Sequence, residues 1–471
     1  MNILGIKIFL IKMDLSKLQI NLNVLPPETI TEILLGLNLT DLNNFCQTSQ
    51  AAMEYCKSDQ FWKTKYKHDF QHLPSEVNSP WKEMYKLALL AVPISPISSA
   101  SDSYAIIDDQ SMLYIGGDIG GNIDSISNIS PFQQKVRSVS QASSYIGAIT
   151  DDGKVHFWGD KLKTIFGVRT VQNPTEFKIP GKAIKISCGP LIGLSSAMFA
   201  VILEDRSVFL RMYYEPMKPG PYFTKGVTFS GIINITGGDG LKRNIKALDI
   251  STNGYALAIV STSGKLYYLG KNVESDSSVH PDIRKAVGII YKDGEIVVNP
   301  VRIHLPFQRN GVLSESKISE ELPELIKQVS LDLTHMGVLS RRGTIYLWGS
   351  GEYGQLGGGN KLNISLVDEP LKLTFPVPIS FISIRSRTTA AIDKNGKLYI
   401  WGEHKMFTDW RKFANLDDTE RNYFFRRPTE IKLQNNNTNI RSIFNYVSVG
   451  WHHIVTTTDD GYVNVWGSIG Y

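Results

Sequence analysis

From residue 100 onward the chain alternates short apolar runs with polar turns, and one phrase keeps returning. The clear copies are Gly153-Lys-Val-His-Phe-Trp-Gly159, Gly264-Lys-Leu-Tyr-Tyr-Leu-Gly270, Gly343-Thr-Ile-Tyr-Leu-Trp-Gly349, Gly396-Lys-Leu-Tyr-Ile-Trp-Gly402 and Gly461-Tyr-Val-Asn-Val-Trp-Gly467. Weaker copies are Ser111-Met-Leu-Tyr-Ile-Gly-Gly117 and Arg206-Ser-Val-Phe-Leu-Arg-Met212. The closing residues stand at 117, 159, 212, 270, 349, 402 and 467, so the spacing varies while the phrase keeps its length. Repetition on this scale sets architecture before any local reading.

Each copy predicts a β-hairpin. An apolar strand such as Tyr145-Ile-Gly-Ala-Ile149 leads into Asp152-Gly153, Ser263-Gly264, Asn395-Gly396 or Asp460-Gly461. Such pairs suit a two-residue turn in which both residues take positive φ. The returning strand is apolar or aromatic on both faces: Val155 and Phe157 on one, His156 and Trp158 on the other. A sheet wet on one side would show a polar face, whereas small sheets packed radially would not. A short apolar strand precedes each hairpin, as in Val136-Arg-Ser-Val139 and Tyr446-Val-Ser-Val449, and proline-led strands such as Pro174-Thr-Glu-Phe-Lys-Ile179 and Pro428-Thr-Glu-Ile-Lys-Leu433 stand before several of these. The expected fold is mainly β, a seven-bladed propeller over residues 102–471 with four strands per blade. The last blade lacks a proline-led strand, and residues around Pro93–Ile97 are expected to supply it and close the ring. The Trp-Gly tryptophans 158, 348, 401 and 466 are expected to be buried between blades. The stretch from Lys271 to Glu324 reads as a long loop with an extra hairpin at Asp293-Gly294.

The pattern ahead of the propeller is helical. Ile30, Ile33, Leu34 and Leu37 fall on one stripe behind Leu25-Pro26-Pro27-Glu28, where a proline and a carboxylate suit a first turn. Thr40, Ser49 and Asp59 read as caps of three further helices. Leu35, Leu39 and Leu42 are candidates for an apolar surface that waits for a partner. Residues 1–19 read as an extension, 20–70 as the helical domain, 71–92 as a helical addition and the Pro/Ser-rich 93–101 as a linker.

Composition changes this picture little. A 42% hydrophobic and 20% charged chain is globular, and a net charge of +5 is too mild to point to nucleic acid. Cys46, Cys56 and Cys188 are odd in number and without CxxC spacing, which argues against a disulfide framework or structural zinc and for a reducing compartment, cytoplasmic or nuclear. The apolar run 3–11 is too short to span a membrane, has no basic start and no cleavage site after it, and Met13 offers a second start.

Two resemblances follow from these residues. Leu25-Pro-Pro-Glu28, Ile33-Leu34-Leu35, Leu39-Thr-Asp-Leu42, Cys46-Gln-Thr-Ser49 and Phe61-Trp-Lys63 resemble the F-box motif in order and spacing, and Trp81-Lys-Glu-Met-Tyr85 repeats the Trp62–Tyr66 phrase. Phe45-Cys46-Gln47 stands where many members carry a basic residue. The resemblance implies docking onto the Skp adaptor of a cullin-based ubiquitin ligase, with Leu25, Pro26, Ile33, Leu34, Leu42 and Trp62 at or under the interface. Trp348-Gly-Ser-Gly-Glu-Tyr-Gly-Gln-Leu-Gly357 and Val449-Gly-Trp-His-His453 resemble the repeat of the regulator of chromosome condensation, whose founding member is an exchange factor for a GTPase.

The loops ahead of the hairpins do not repeat although their framework does, which is where a partner is read on a rigid scaffold. Tyr255, Arg385, Arg387, Trp451 and His452 are the candidate partner-binding residues, a mixed basic and aromatic patch for a protein with an acidic segment. His335 and His453 share a repeat position and read as hydrogen-bonding struts. No nucleophile elbow, phosphate loop or His-Glu-x-x-His motif is present, so no catalytic residue, metal or cofactor is expected. The expected function is a non-catalytic substrate receptor of a ubiquitin ligase. The alternative is a propeller scaffold or GTPase regulator without a ubiquitin role.

Overall fold

The computed structural model describes residues 26–471, apart from 118–133, 163–170, 190–195, 215–226, 237–241, 271–288, 304–324, 360–366, 404–423, 433–442, 468–471 and a few shorter stretches. The chain divides into two units, one centred on residues up to Ala91 and one beginning at Val92.

The first unit has five described helices: α1 Pro27–Leu35, α2 Leu39–Cys46, α3 Gln50–Lys57, α4 Asp59–Phe70 and α5 Trp81–Leu90. One core collects Ile30, Leu34 and Leu37 with Leu42, Phe45, Phe61, Trp62, Tyr66, Trp81 and Tyr85. The repeated Trp-Lys-x-x-Tyr phrase explains how α4 and α5 lock. Trp62 packs on Tyr85 with ring centroids 5.3 Å apart, and Trp81 meets Tyr66 edge to face at 5.6 Å. Lys82 lies over Trp62 and Lys63 over Trp81, so the two phrases clasp reciprocally.

The capping pattern differs from expectation. α2 begins at Leu39, so Thr40 lies inside it, and Ser49 lies outside the described residues. Ser58, one residue before Asp59, accepts the Phe61 N–H at the start of α4. Asp59 caps α5 instead: its Oδ1 accepts the Trp81 N–H at 2.6 Å. A second correction concerns the cysteines. Cys46 and Cys56 form a disulfide with Cα atoms 5.9 Å apart, joining the ends of α2 and α3, while Cys188 is free and buried.

The second unit is the expected propeller of seven antiparallel blades. Their inner strands are Ile97–Ser99, Val136–Gln141, Ala183–Cys188, Ala247–Thr252, Ile326–Leu331, Ile379–Arg385 and Phe444–Val449. Each packs beside the inner strands of both neighbours, the first against the last included. The next strand outward is buried along its whole length in blades 2, 4, 5 and 6, as in Tyr145–Thr150 and Thr388–Asp393. Trp158 and Trp401 are buried between sheets as expected, whereas Trp348 and Trp466 are only half-buried. Proline-led strands pair as fourth strands in blades 2 and 6, within Val171–Phe177 and Phe424–Ile431. In the Lys271–Glu324 stretch the extra hairpin is present as Ile289–Lys292 with Glu295–Val298, and Val301–Ile303 is the fourth strand of blade 4.

The turns depart from the two-residue form. The Gly153 N–H donates to the Thr150 carbonyl and the Thr150 N–H to the Lys154 carbonyl, and the same pair of bonds recurs at Gly343, Gly396 and Gly461. Only the glycine takes positive φ; Asp152, Asn395 and Asp460 do not. This is a three-residue loop with one left-handed position. The two weak copies keep it with Ser111 at φ 64° and Arg206 at φ 71°, which is why their turn glycine could vanish without loss of the hairpin.

Ring closure also differs. Ile97 of the expected linker pairs with Ile106, and the Pro96 carbonyl accepts the Ile107 N–H, so this segment is the inner strand of blade 1 and not the outer strand of blade 7. What joins the ends is a circle of serines. Ser98 accepts the Gln141 N–H, Ser140 that of Cys188, Ser187 that of Thr252, and Ser251 that of Leu331. Ser330 accepts the Ile384 N–H, Ser383 that of Val449, and Ser448 that of Ser99 at 2.8 Å. Inner strands have unpaired edges toward the channel, and each hydroxyl takes up one donor of the next blade.

Candidate partner-binding sites

The propeller site is built where inner strands end and loops turn back. These loops are knitted from blade to blade. The Asn253 amide donates to the Asp332 carbonyl at 2.9 Å, the Thr334 hydroxyl to the Ser386 carbonyl at 2.7 Å, and the Trp451 N–H to the Ala100 carbonyl at 3.0 Å. Gly189 lies so close to Gly254 that a side chain there would meet the Gly254 nitrogen at 2.1 Å. Non-repeating residues are thus spent partly on joining blades.

Arg385 is the clearest case. It closes the inner strand of blade 6, yet its guanidinium donates to the Gln141 carbonyl of blade 2 at 3.2 Å. Those blades are not ring neighbours, so the side chain spans the channel. The predicted rim arginine is therefore taken up inside, beside buried Asp332, Tyr145 and Cys188. Burial lowers its pKa, opposed by Asp332, Cys188 and Tyr145. Burial raises the Asp332 carboxyl to about 6 against the pull of Arg385, and raises the Cys188 thiol to about 12. The Tyr145 hydroxyl donates to the Gly189 carbonyl at 3.0 Å, and burial raises its pKa well above the ordinary range. These polar groups cluster at the end of the inner strands, with Arg385 linking blade 6 to blade 2.

The other predicted residues are placed separately. Arg387 pairs with Glu403 at 2.6 Å and stacks 3.7 Å over the Tyr353 ring. Trp451 is 37% exposed and His452 half-buried, and Tyr255 lies outside the described residues. His335 is the expected strut: its Nε2 meets the Thr389 hydroxyl at 2.7 Å and its Nδ1 the Thr334 hydroxyl. Burial lowers its pKa to about 3. His453 packs on Tyr104 of the next blade instead, with no well-formed hydrogen bond at its ring nitrogens, though the Ser103 and Ser101 backbone favours its charged form. Burial, then the Arg385 charge, lowers it to about 4.

In the helical unit, Leu34, Leu42 and Trp62 are wholly inside the core, so they underlie any adaptor surface and do not form it. Leu42 is therefore not one of the partner-facing leucines, and Leu35 is half-buried against the core. Leu25 and the Ile33 side chain lie outside the described residues; Pro26 is exposed, and Met53 of α3 is 44% exposed.

Periodicity also missed a buried ion pair. Lys65 of α4 donates to the Leu35 carbonyl at the end of α1 and to Asp69, both at 2.8 Å, and Asp69 accepts from the Tyr85 hydroxyl at 2.6 Å. Burial raises the Asp69 carboxyl, but His68, Lys65 and Tyr85 outweigh it and hold it at about 2. The one sequence signal was charge at i and i+4 on a helix that is otherwise aromatic on its inner side.

Comparison with known proteins matches residues 22–64 to the F-box domain and residues 342–392 to the regulator of chromosome condensation (RCC1) repeat. The ultraviolet-B receptor UVR8 of Arabidopsis thaliana is 29% identical over 144 residues, 30% of this chain and 29% of the receptor. The protein pim1 of Schizosaccharomyces pombe is 28% identical over 149 residues, 31% of this chain and 25% of that protein. The mouse E3 ubiquitin-protein ligase HERC2 is 23% identical over 227 residues, 48% of this chain and 4% of the ligase. The chain thus spans less than a third of each of these relatives. Among solved structures, Prp20p of Saccharomyces cerevisiae is similar at a TM-score of 0.50 and 17% identity, over 79% of this chain and 82% of that one. That likeness is one of fold.

Proposed function

We propose that this chain, an F-box domain joined to a propeller with an RCC1 repeat, is a substrate-receptor subunit of a Skp–cullin–F-box ubiquitin ligase. The observation that carries the reading is the presence of both modules in one chain. The helical unit holds the adaptor and the propeller holds the target. In this reading the chain supplies position, and the other subunits of the ligase supply the chemistry. Pro26 and Met53 are apolar and exposed on the helical unit and are the adaptor contacts we assign, over the support of Leu34, Leu42 and Trp62. On the propeller, Trp451, His452 and Arg387 remain the target-contacting candidates.

The test is retention of the full chain by an immobilised Skp adaptor. Wild type is expected to be retained, and Pro26→Glu with Met53→Glu to lose at least about tenfold in affinity. Leu34 is unsuited to this purpose, because changing it strikes the core. A folded wild-type chain that the adaptor fails to retain refutes the reading.

A second reading is a GTPase regulator. The fold likeness is to Prp20p, whose structure is described with its binding to Gsp1p and histones. Faster nucleotide release from a Ran-type GTPase on addition of this chain would favour it.

A further inference from the structure

Blade 7 has three described strands, and its outer one, Val463–Gly467, has an edge that no other described strand pairs with. The occupied edges elsewhere show what such an edge takes. In blade 2, Val155, His156 and Phe157 stand opposite Phe177, Glu176 and Thr175. In blade 4, Leu266, Tyr267 and Tyr268 stand opposite Ile303, Arg302 and Val301. In blade 5, Ile345, Tyr346 and Leu347 stand opposite Leu373, Lys372 and Leu371. In blade 6, Leu398, Tyr399 and Ile400 stand opposite Ile431, Glu430 and Thr429. A proline precedes each outer segment: Pro174, Pro300, Pro370 and Pro428. These four edges share one occupant, proline, then Thr, Val or Leu, then a charged residue, then Phe, Ile or Leu; the fifth occupied edge, in blade 3, takes Val227–Ile232 and does not carry it. Proline costs nothing at the outermost strand, where its missing N–H faces away from the sheet.

The blade 7 edge presents the same register, and no described residue stands in the occupant's place. Val463 is the counterpart of Val155, Leu266, Ile345 and Leu398. It is 39% exposed, whereas all four of those are buried. The neighbouring Tyr462 is 69% exposed. Asn464 stands where His156 and Tyr399 face a glutamate, and its side-chain amide nitrogen is shielded from solvent without a partner among the described residues. The shielded amide N–H is a donor, which a carboxylate at the opposing position would satisfy. The segment that would be expected to fill this edge, Pro93–Ile97, is engaged elsewhere: the Pro93 carbonyl accepts from Lys185, and Ile97 pairs within blade 1.

We propose that the outer edge of blade 7 is a docking site for an extended segment of a partner protein with the sequence type Pro-Thr-Glu-Ile, added as a fourth antiparallel strand. Its aliphatic residue would cover Val463, its glutamate would meet Asn464, and its threonine would lie opposite Val465. Main-chain hydrogen bonds supply affinity and the alternate side chains supply choice. The binding needs no ligase and stands whether or not the adaptor reading holds.

The probe is a fluorescent peptide with the chain's own sequence 427–433, Arg-Pro-Thr-Glu-Ile-Lys-Leu, titrated onto the full chain. Saturable binding is expected, weakened at least about tenfold when the peptide glutamate is replaced by lysine or when the chain carries Val463→Asp. Hydrogen exchange is read in parallel. The outward-facing amides of 463–467, those not bonded to His453–Thr458, should exchange fast in the free chain and slow on peptide addition. Binding indifferent to both changes overturns the proposal, as does its absence. So do edge amides already protected in the free chain, since the edge is then filled by this chain's own sequence or a second copy.

Discussion

Asp332 shows what a single side chain contributes where the inner strands end. Its carboxyl is fully buried with Oδ2 unpartnered among the described residues, and its pKa stands at about 6 against 3.8 for the ordinary group. The folded state therefore binds this proton more tightly than the unfolded chain. Stability falls as pH rises through the window between those values, and the cost of the charge is complete above it. Asp332→Asn has no such dependence. Relative to wild type, the variant should gain roughly 2 kcal/mol between pH 4 and pH 7. Urea unfolding at both values checks this, and a difference that does not move with pH contradicts it. The buried histidines titrate in both proteins and cancel. Asp332 was legible in the sequence only as one member of a non-repeating loop; its burial and the opposing charge of Arg385, 53 residues further on, come from the fold.

At the scale of elements, two devices carry the structure. The first is the clasp of α4 and α5. The repeated Trp-Lys-x-x-Tyr phrase was visible in the sequence, but that Trp62 meets Tyr85 and Trp81 meets Tyr66 follows from the two helices facing each other. Trp81→Ala should cost about 3–5 kcal/mol, seen as lost exchange protection across α4 as well as α5. Protection lost in α5 alone would show that the clasp does not couple them. The second device is the serine circle. Ser330→Ala and Ser448→Ala each orphan one inner-strand N–H and should each cost about 1–2 kcal/mol in denaturant unfolding. Equal losses are expected because the joint between blades 7 and 1 is built like the joint between blades 5 and 6. A far larger loss at Ser448 would mean that closure rests on this bond alone.

For the molecule as a whole, the period of the pattern settled the class. Seven copies of a strand-turn-strand phrase, apolar on both faces, have no stable home except a closed radial array, because every face needs a neighbouring sheet. The helical stripe, the Leu-Pro-Pro-Glu start and the Phe-Trp-Lys end likewise located the first unit, since local spacing alone creates an apolar helix face. What spacing cannot supply is which distant groups meet. Only the tertiary structure sent Arg385 across the channel to Gln141, buried Leu34, Leu42 and Trp62 beneath the helical surface, joined Cys46 to Cys56 and gave Ile97 to blade 1. Periodicity is a property of neighbours along the chain and survives in the sequence. Closure, burial and an open sheet edge depend on segments hundreds of residues apart, whose meeting is decided by packing once the ring has formed.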